Sequence, residues 1–187
     1  MKRESRVPSR AELAASAGKR VPDVIAPRLR VLFCGINPGL YSGATRHHFA
    51  RPGNRFWPAL HGSGFTARLL SPWEERELLE HCCGVTNLVA RATAGANEIG
   101  AAELVAGRRR LVSKVRRFAP ACVAVLGVGA YRIAFARPAA IPGRQHERLG
   151  SAMLWLLPNP SGLNAHYQLG DLIALFRELR EQIGCIR

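Results

Sequence analysis

Aspartate is almost missing from this chain. Only Asp23 and Asp171 occur among its 187 residues, which limits any mechanism resting on paired carboxylates. The five cysteines, Cys34, Cys82, Cys83, Cys122 and Cys185, show no CxxC spacing. That argues against a disulfide framework, a zinc site and an iron–sulfur cluster. No apolar run approaches the roughly 20 residues of a membrane-spanning helix, and no signal-peptide core opens the chain. The expectation is a cytoplasmic, nucleoid-associated protein. No Walker pattern is present, which argues against a nucleotide-metabolising enzyme. Gly127-Val128-Gly129-Ala130 repeats only half of a dinucleotide fingerprint, with no third glycine and no acid about twenty residues on. No cofactor is expected. His47 and His48 are adjacent, so their imidazoles do not share a helical face, and no third ligand stands near them. No metal is expected.

What is abundant is positive charge. Lys and Arg number 27 against 13 acids, a formal net charge of +14. Such an excess favours a polyanionic partner, nucleic acid above all, although a genome that prefers Arg to Lys also yields basic proteins. With 48% hydrophobic residues, the chain can bury one substantial core. Residues 1–22, carrying Lys2, Arg3, Arg6, Arg10, Lys19 and Arg20, read as a flexible tail or phosphate-contacting arm. Residues 23–187 read as a single domain.

Short apolar runs alternate with amphipathic or basic helical stretches. This pattern predicts an α/β fold, three layers α/β/α, around a central four- or five-stranded mostly parallel sheet. Strands are expected at 31–35, 84–89, 121–126 and 153–157. Helices are expected at 54–61, 101–118 and 170–182, and over 71–81, where Ser71, Pro72 and Glu74 supply an N-cap, a first-turn proline and an acid. The arginines of 101–118 suit a solvated face.

The first strand, Val31-Leu32-Phe33-Cys34-Gly35, empties into Ile36-Asn37-Pro38-Gly39, so Asn37 stands where ligands of open α/β sheets gather. Pro38 biases Asn37 away from the helical region, and the glycines let backbone approach a ring. The fourth strand ends on a second rigid turn, Pro158-Asn159-Pro160-Ser161-Gly162-Leu163-Asn164. Two such mouths can face one cleft.

Here the chain resembles a known family, the mismatch-specific uracil-DNA glycosylases, bacterial relatives of thymine-DNA glycosylase within the uracil-DNA glycosylase superfamily. The blocks carrying the resemblance run in family order. They are the turn of Gly35 to Gly39, Phe49-Ala50-Arg51-Pro52-Gly53-Asn54-Arg55-Phe56-Trp57, Gly84-Val85-Thr86-Asn87-Leu88-Val89, Ala96-Asn97-Glu98, and the turn of Asn159 to Leu163.

The resemblance implies a monofunctional DNA repair glycosylase. It would flip out uracil mispaired with guanine and hydrolyse its N-glycosidic bond, leaving an abasic site, with ethenocytosine or thymine as further candidate substrates. The partner is then double-stranded DNA carrying G·U or related mismatches, and the protein a monomer with no membrane association. On that resemblance Asn37 positions the attacking water, while backbone of Gly35, Ile36 and Gly39 helps read the base. Phe49 stacks on the flipped ring, and Ser42 lies near the pyrimidine C5 edge. Asn159, Ser161, Gly162, Leu163, Asn164 and His166 form the DNA-binding turn, with Leu163 as the wedge that fills the emptied stack.

The chain also departs from that family. Asn164 and Ala165 replace a Ser-Arg pair, Asn87 stands where lysine is often found, and Ala90 where an acid is expected. An amide orients water but is a poor proton acceptor, so Glu98 is the nearest candidate acid in the chain and is read as a second catalytic group. The missing acid keeps an alternative open: a mismatch-DNA binding module with little or no base release.

Overall fold

The computed structural model describes residues 7–184. Its centre is one five-stranded sheet in the order β2-β1-β3-β5-β4. The strands are β1 (Val31–Gly35), β2 (Cys83–Asn87), β3 (Cys122–Leu126), β4 (Gly143–Leu149) and β5 (Ala152–Leu157). β1 pairs in parallel with β2 and β3, and β3 with β5. Only β4 runs antiparallel, beside β5 at the sheet edge. Every residue of β1, β3 and β5 is buried, as expected of continuous apolar runs covered on both faces.

Helices cover both faces. On one side Phe33 packs edge-on against Phe56 and Phe65 and stacks on Phe176, with ring centroids 5.4–5.6 Å apart. Fully burying each such ring stabilises the fold by about 1.5–3 kcal/mol. Phe56 belongs to α3 (Phe56–Gly62) and Phe176 to α6 (Leu169–Gly184). On the other side lies α4 (Ala101–Phe118), burying Leu104, Gly107, Leu111 and Val115 at helical spacing. A β-carbon on Gly107 would stand 2.5 Å from the Leu88 carbonyl oxygen, so that glycine lets helix and sheet close up. α5 (Val128–Ala134) packs beside α4.

Three expectations change. The segment at 71–81 winds as a 3₁₀ helix, Pro72–His81, and its buried Glu75 and Leu78 sit three apart, as that winding demands. The Glu74 carboxylate does receive the Ser71 N–H and hydroxyl, each at 2.8 Å.

The basic arm is not loose along its described length. Ser9 and Glu12 form a capping box on α1 (Arg10–Ala14). Buried Ser16 donates its hydroxyl to the Leu40 carbonyl at 2.7 Å, at the start of α2 (Leu40–Thr45). The Gly18 amide donates to Ala92 O at 2.9 Å, and the Ala92 amide to Lys19 O at 2.8 Å. Residues 1–6 of that arm lie outside the described residues. The third change is β4 itself, whose Arg144, His146 and Arg148 alternate outward.

Candidate active site

The carboxyl ends of β1, β2, β3 and β5 open onto one cavity, the location typical of open α/β sheets. Its floor is the turn after β1, stitched to the chain that follows β2. Leu88 N–H donates to Gly35 O at 2.9 Å, Val89 N–H to Ile36 O at 2.9 Å and Thr93 N–H to Pro38 O at 3.1 Å.

Asn37 is fixed on that floor by its amide nitrogen. Nδ2 donates to Pro38 O at 2.9 Å and Thr93 Oγ1 at 2.7 Å, and lies 3.4 Å from Arg91 O. Thr93 passes its own proton to Gly95 O at 2.8 Å, so its oxygen is free to accept. Two of the three neighbours are carbonyls, which only accept, and this dictates which end of the amide is which. Oδ1 is left to the cavity with no hydrogen bond among the described residues. It can accept from a bound water.

Gly35 pairs in register with Asn87, and a β-carbon there would fall 2.5 Å from Asn87 Oδ1 and 3.3 Å from Phe49 Cζ. Both side chains therefore stand where only glycine lets them. Asn87 Nδ2 donates to His48 Nδ1 at 3.3 Å, and His48 Nε2 lies 2.9 Å from Pro22 O. Since that carbonyl accepts only, Nε2 carries the proton and Nδ1 the lone pair, which orients the Asn87 amide. Burial holds the His48 pKa below its ordinary 6.5, against the opposing pull of Glu75, so the ring is neutral near pH 7. Glu75, itself buried, accepts the His48 N–H at 2.7 Å and pairs with His47 at 3.0 Å. These bonds support the corner at which Phe49 takes φ 52°, a costly conformation for a bulky residue. Its ring stacks on Phe56 with centroids 4.1 Å apart.

Of the residues singled out in the sequence, Gly35, Ile36, Asn37, Gly39, Ser42 and Phe49 line this cavity, joined by Asn159, Ser161 and Leu163 from the turn after β5. Ser42 is buried and accepts the Ala50 N–H at 3.2 Å, leaving its hydroxyl proton for a ligand. Leu163 is 76% exposed at the rim. Gly162 belongs to the same turn, where a β-carbon would meet Gly53 O at 2.6 Å. Asn164 and His166 face an adjoining groove.

Glu98 is a correction. It is exposed, does not line the cavity, and accepts the Gly95 N–H at 2.9 Å as the cap of a short 3₁₀ helix, Ala96–Glu98. Ala90 is also exposed and outside the cavity. No carboxylate lines the cavity among the described residues; its one permanent charge is Arg51. Nor is Cys34 a nucleophile, since burial pushes its thiol pKa up to about 12.

Sequence reasoning missed Asn87, His48, Arg51, Asn54 and Thr93 as lining residues. Asn87 carried a readable signal, a polar residue ending β2 opposite the end of β1. His48 carried none, because its role depends on a partner 39 positions away.

An open α/β sheet whose strand ends converge on a polar, aromatic-walled cavity beside a projecting loop is a fold shared with solved proteins. A solution NMR structure of a candidate uracil DNA glycosylase from Methanosarcina acetivorans matches with a TM-score of 0.55 and 18% identity, covering 87% of this chain and 98% of that one. At that identity the match speaks for the fold. The model of the uracil DNA glycosylase superfamily matches residues 22–183, and the chain belongs to that superfamily. It is thus of the class of DNA glycosylases, hydrolases that act on DNA.

Proposed function

We propose that the protein excises uracil mispaired with guanine in duplex DNA, by hydrolysis that leaves an abasic site. The observation that carries this reading is the meeting of two features at one cavity: an Asn37 amide anchored so that only its oxygen is open, and the exposed Leu163 at the rim. The first suits orientation of a water toward C1′ of a flipped nucleotide. The second suits filling of the gap that flipping leaves, for which unstacking costs a few kcal/mol.

The leaving uracil departs with negative charge, and preorganised donors stabilise it best. The Ser42 hydroxyl, the remaining Asn87 Nδ2–H, the Asn54 amide nitrogen and the Arg51 guanidinium are among the donors that line it. With Oδ1 beside that N–H, Asn87 offers an acceptor and a donor, the complement of uracil N3–H and O4. With no carboxylate lining the cavity among the described residues, rate acceleration comes from this charge stabilisation and from a placed water rather than from a strong general base. Both ends of the Asn164 side chain are engaged, Nδ2 with Asn159 O at 3.0 Å and Oδ1 with His166 N–H at 3.1 Å. Preference for G·U over A·U then rests on the lower cost of unpairing a mismatch.

The absence of a carboxylate among the described residues of the cavity favours one second reading, a module that binds mismatched DNA without cleaving it. Single-turnover base release from G·U, A·U and single-stranded uracil substrates at fixed salt separates the two. Release fastest at G·U is expected. Mismatch binding with no release from any substrate sinks the glycosylase reading.

A further inference from the structure

Arg55 directly follows Phe49, Arg51 and Asn54, which wall the base cavity, yet its side chain turns away to the other loop. Its backbone N–H donates to Pro160 O at 2.9 Å. Its guanidinium fans into the turn after β5, with Nη1 on Tyr167 O at 2.5 Å and Nη2 on Ser161 O and Asn164 O at 2.5 and 2.7 Å. One residue therefore gathers four carbonyls of a single loop, three through its side chain, and that loop carries Leu163 at its tip. No carboxylate pairs with Arg55 among the described residues, and its Nε is buried without a partner. Carbonyl dipoles alone hold the charge.

Most of the loop's other bonds are internal. Asn159 Oδ1 accepts Ser161 N–H at 3.1 Å, and Ser161 Oγ accepts Leu163 N–H at 3.3 Å. Such bonds shape the tip but do not attach it to the domain. Attachment comes from the Arg55 bonds, from the close seat of Gly162 on Gly53 O and, at the loop's far end, from Tyr167 packed against the core.

We infer that Arg55 is a positioning residue that pre-organises the Leu163 wedge, tying it to the segment that carries Phe49, Arg51 and Asn54. This rests on the wedge reading above and deepens it. Ordering an exposed loop on binding costs free energy for every immobilised residue. A loop clamped in the free protein has met that cost during folding. Only a planar fork of donors spans carbonyls at positions 161, 164 and 167 together; a lysine ammonium is a compact point charge and cannot. Because the same segment walls the base cavity, the clamp also fixes the distance between the hole that receives the base and the side chain that displaces it.

The test is a double-mutant cycle in the full chain, using Arg55→Lys, Arg55→Gln and Leu163→Ala. Single-turnover release is read on a G·U duplex and on single-stranded uracil DNA, with amide exchange of residues 161–167 followed in parallel. Arg55→Lys is expected to lower the duplex-to-single-strand rate ratio by roughly 10- to 100-fold, in line with the penalty for about 1 Å of misplacement, and to speed exchange at the tip. Adding Leu163→Ala to it should then cost little more, because both changes remove the same contribution. Equal losses on both substrates, or additive losses in the cycle, overturn the inference, since a merely structural arginine behaves that way. Arg55→Gln guards against failure to fold, and unchanged exchange in both variants also overturns the clamp. Should the wild type release no base at all, the glycosylase reading fails by itself. Faster tip exchange and weaker binding to a duplex with a reduced abasic site in Arg55→Lys would still support the clamp.

Discussion

The two turns that face the cavity are built in opposite ways. The turn after β1 is held by main-chain bonds to its neighbour strand's continuation and keeps its polar side chain half-buried. The turn after β5 is shaped by side chains and presents a leucine to solvent. A group that must hold a reacting molecule in place needs a scaffold that cannot move. A group that must enter a partner's structure needs support beneath it and nothing above it. On the proposed function, the contrast separates, within one small domain, the means of performing chemistry from the means of reaching the substrate.

The sharpest way to break this division is at Asn37. Asn37→Ala removes the anchored acceptor proposed to orient the attacking water and should slow base release on the order of 10²- to 10⁴-fold while sparing duplex affinity. Near-normal single-turnover rates would end the proposed role. Leu163→Ala probes the other turn. It should reduce release from duplex by roughly 10- to 100-fold, within the few kcal/mol at stake in unstacking, and reduce single-strand release far less; parallel losses would erase the distinction.

A smaller effect is expected from acid. The His48 pKa is lowered by burial, with Glu75 and Asp23 favouring its charged form and Lys114 opposing it. A histidine whose folded pKa lies below 6.5 binds fewer protons folded than unfolded, so stability falls as pH drops below about 6.5. Protonation would also place a second donor against Asn87 Nδ2. Melting temperature followed from pH 7.5 to 5 should therefore decline, and decline less in His48→Gln; matching slopes would remove His48 from the account. Smallest of all, Glu98→Gln should keep base release within about twofold and cost at most about 1 kcal/mol of stability through the weakened cap. A large rate loss without loss of stability would return Glu98 to the chemistry.

Much of this was legible in the chain before its structure. β1, β3 and β5 announced themselves because strands covered on both faces are unbroken apolar runs, and Asn37 and Asn159 because each follows such a run in a rigid turn. β4 stayed hidden because an edge strand with one solvated face reads Gly-Arg-Gln-His-Glu-Arg-Leu, a run of charge rather than a strand. α5 was masked by the glycines at its start. Glu98 was misread because proximity along the chain stood in for proximity in space, and the Gly95 amide already had claim to its carboxylate. The orientation of Asn87 lay beyond any reading of the chain alone, since it follows from a tautomer set by the Pro22 carbonyl.

The N-terminal segment carries a consequence for where the working unit begins. The superfamily match starts at residue 22, but residues 18–20 pair with 91 and 92, and the carbonyl of Arg91 and hydroxyl of Thr93 both face the Asn37 amide. A chain trimmed to the family boundary would keep every residue of the cavity and lose the strap on residues 91 and 92, next to the Thr93 that holds the Asn37 amide. The folded unit therefore extends past the matched span at the amino end, back to the capping box at Ser9.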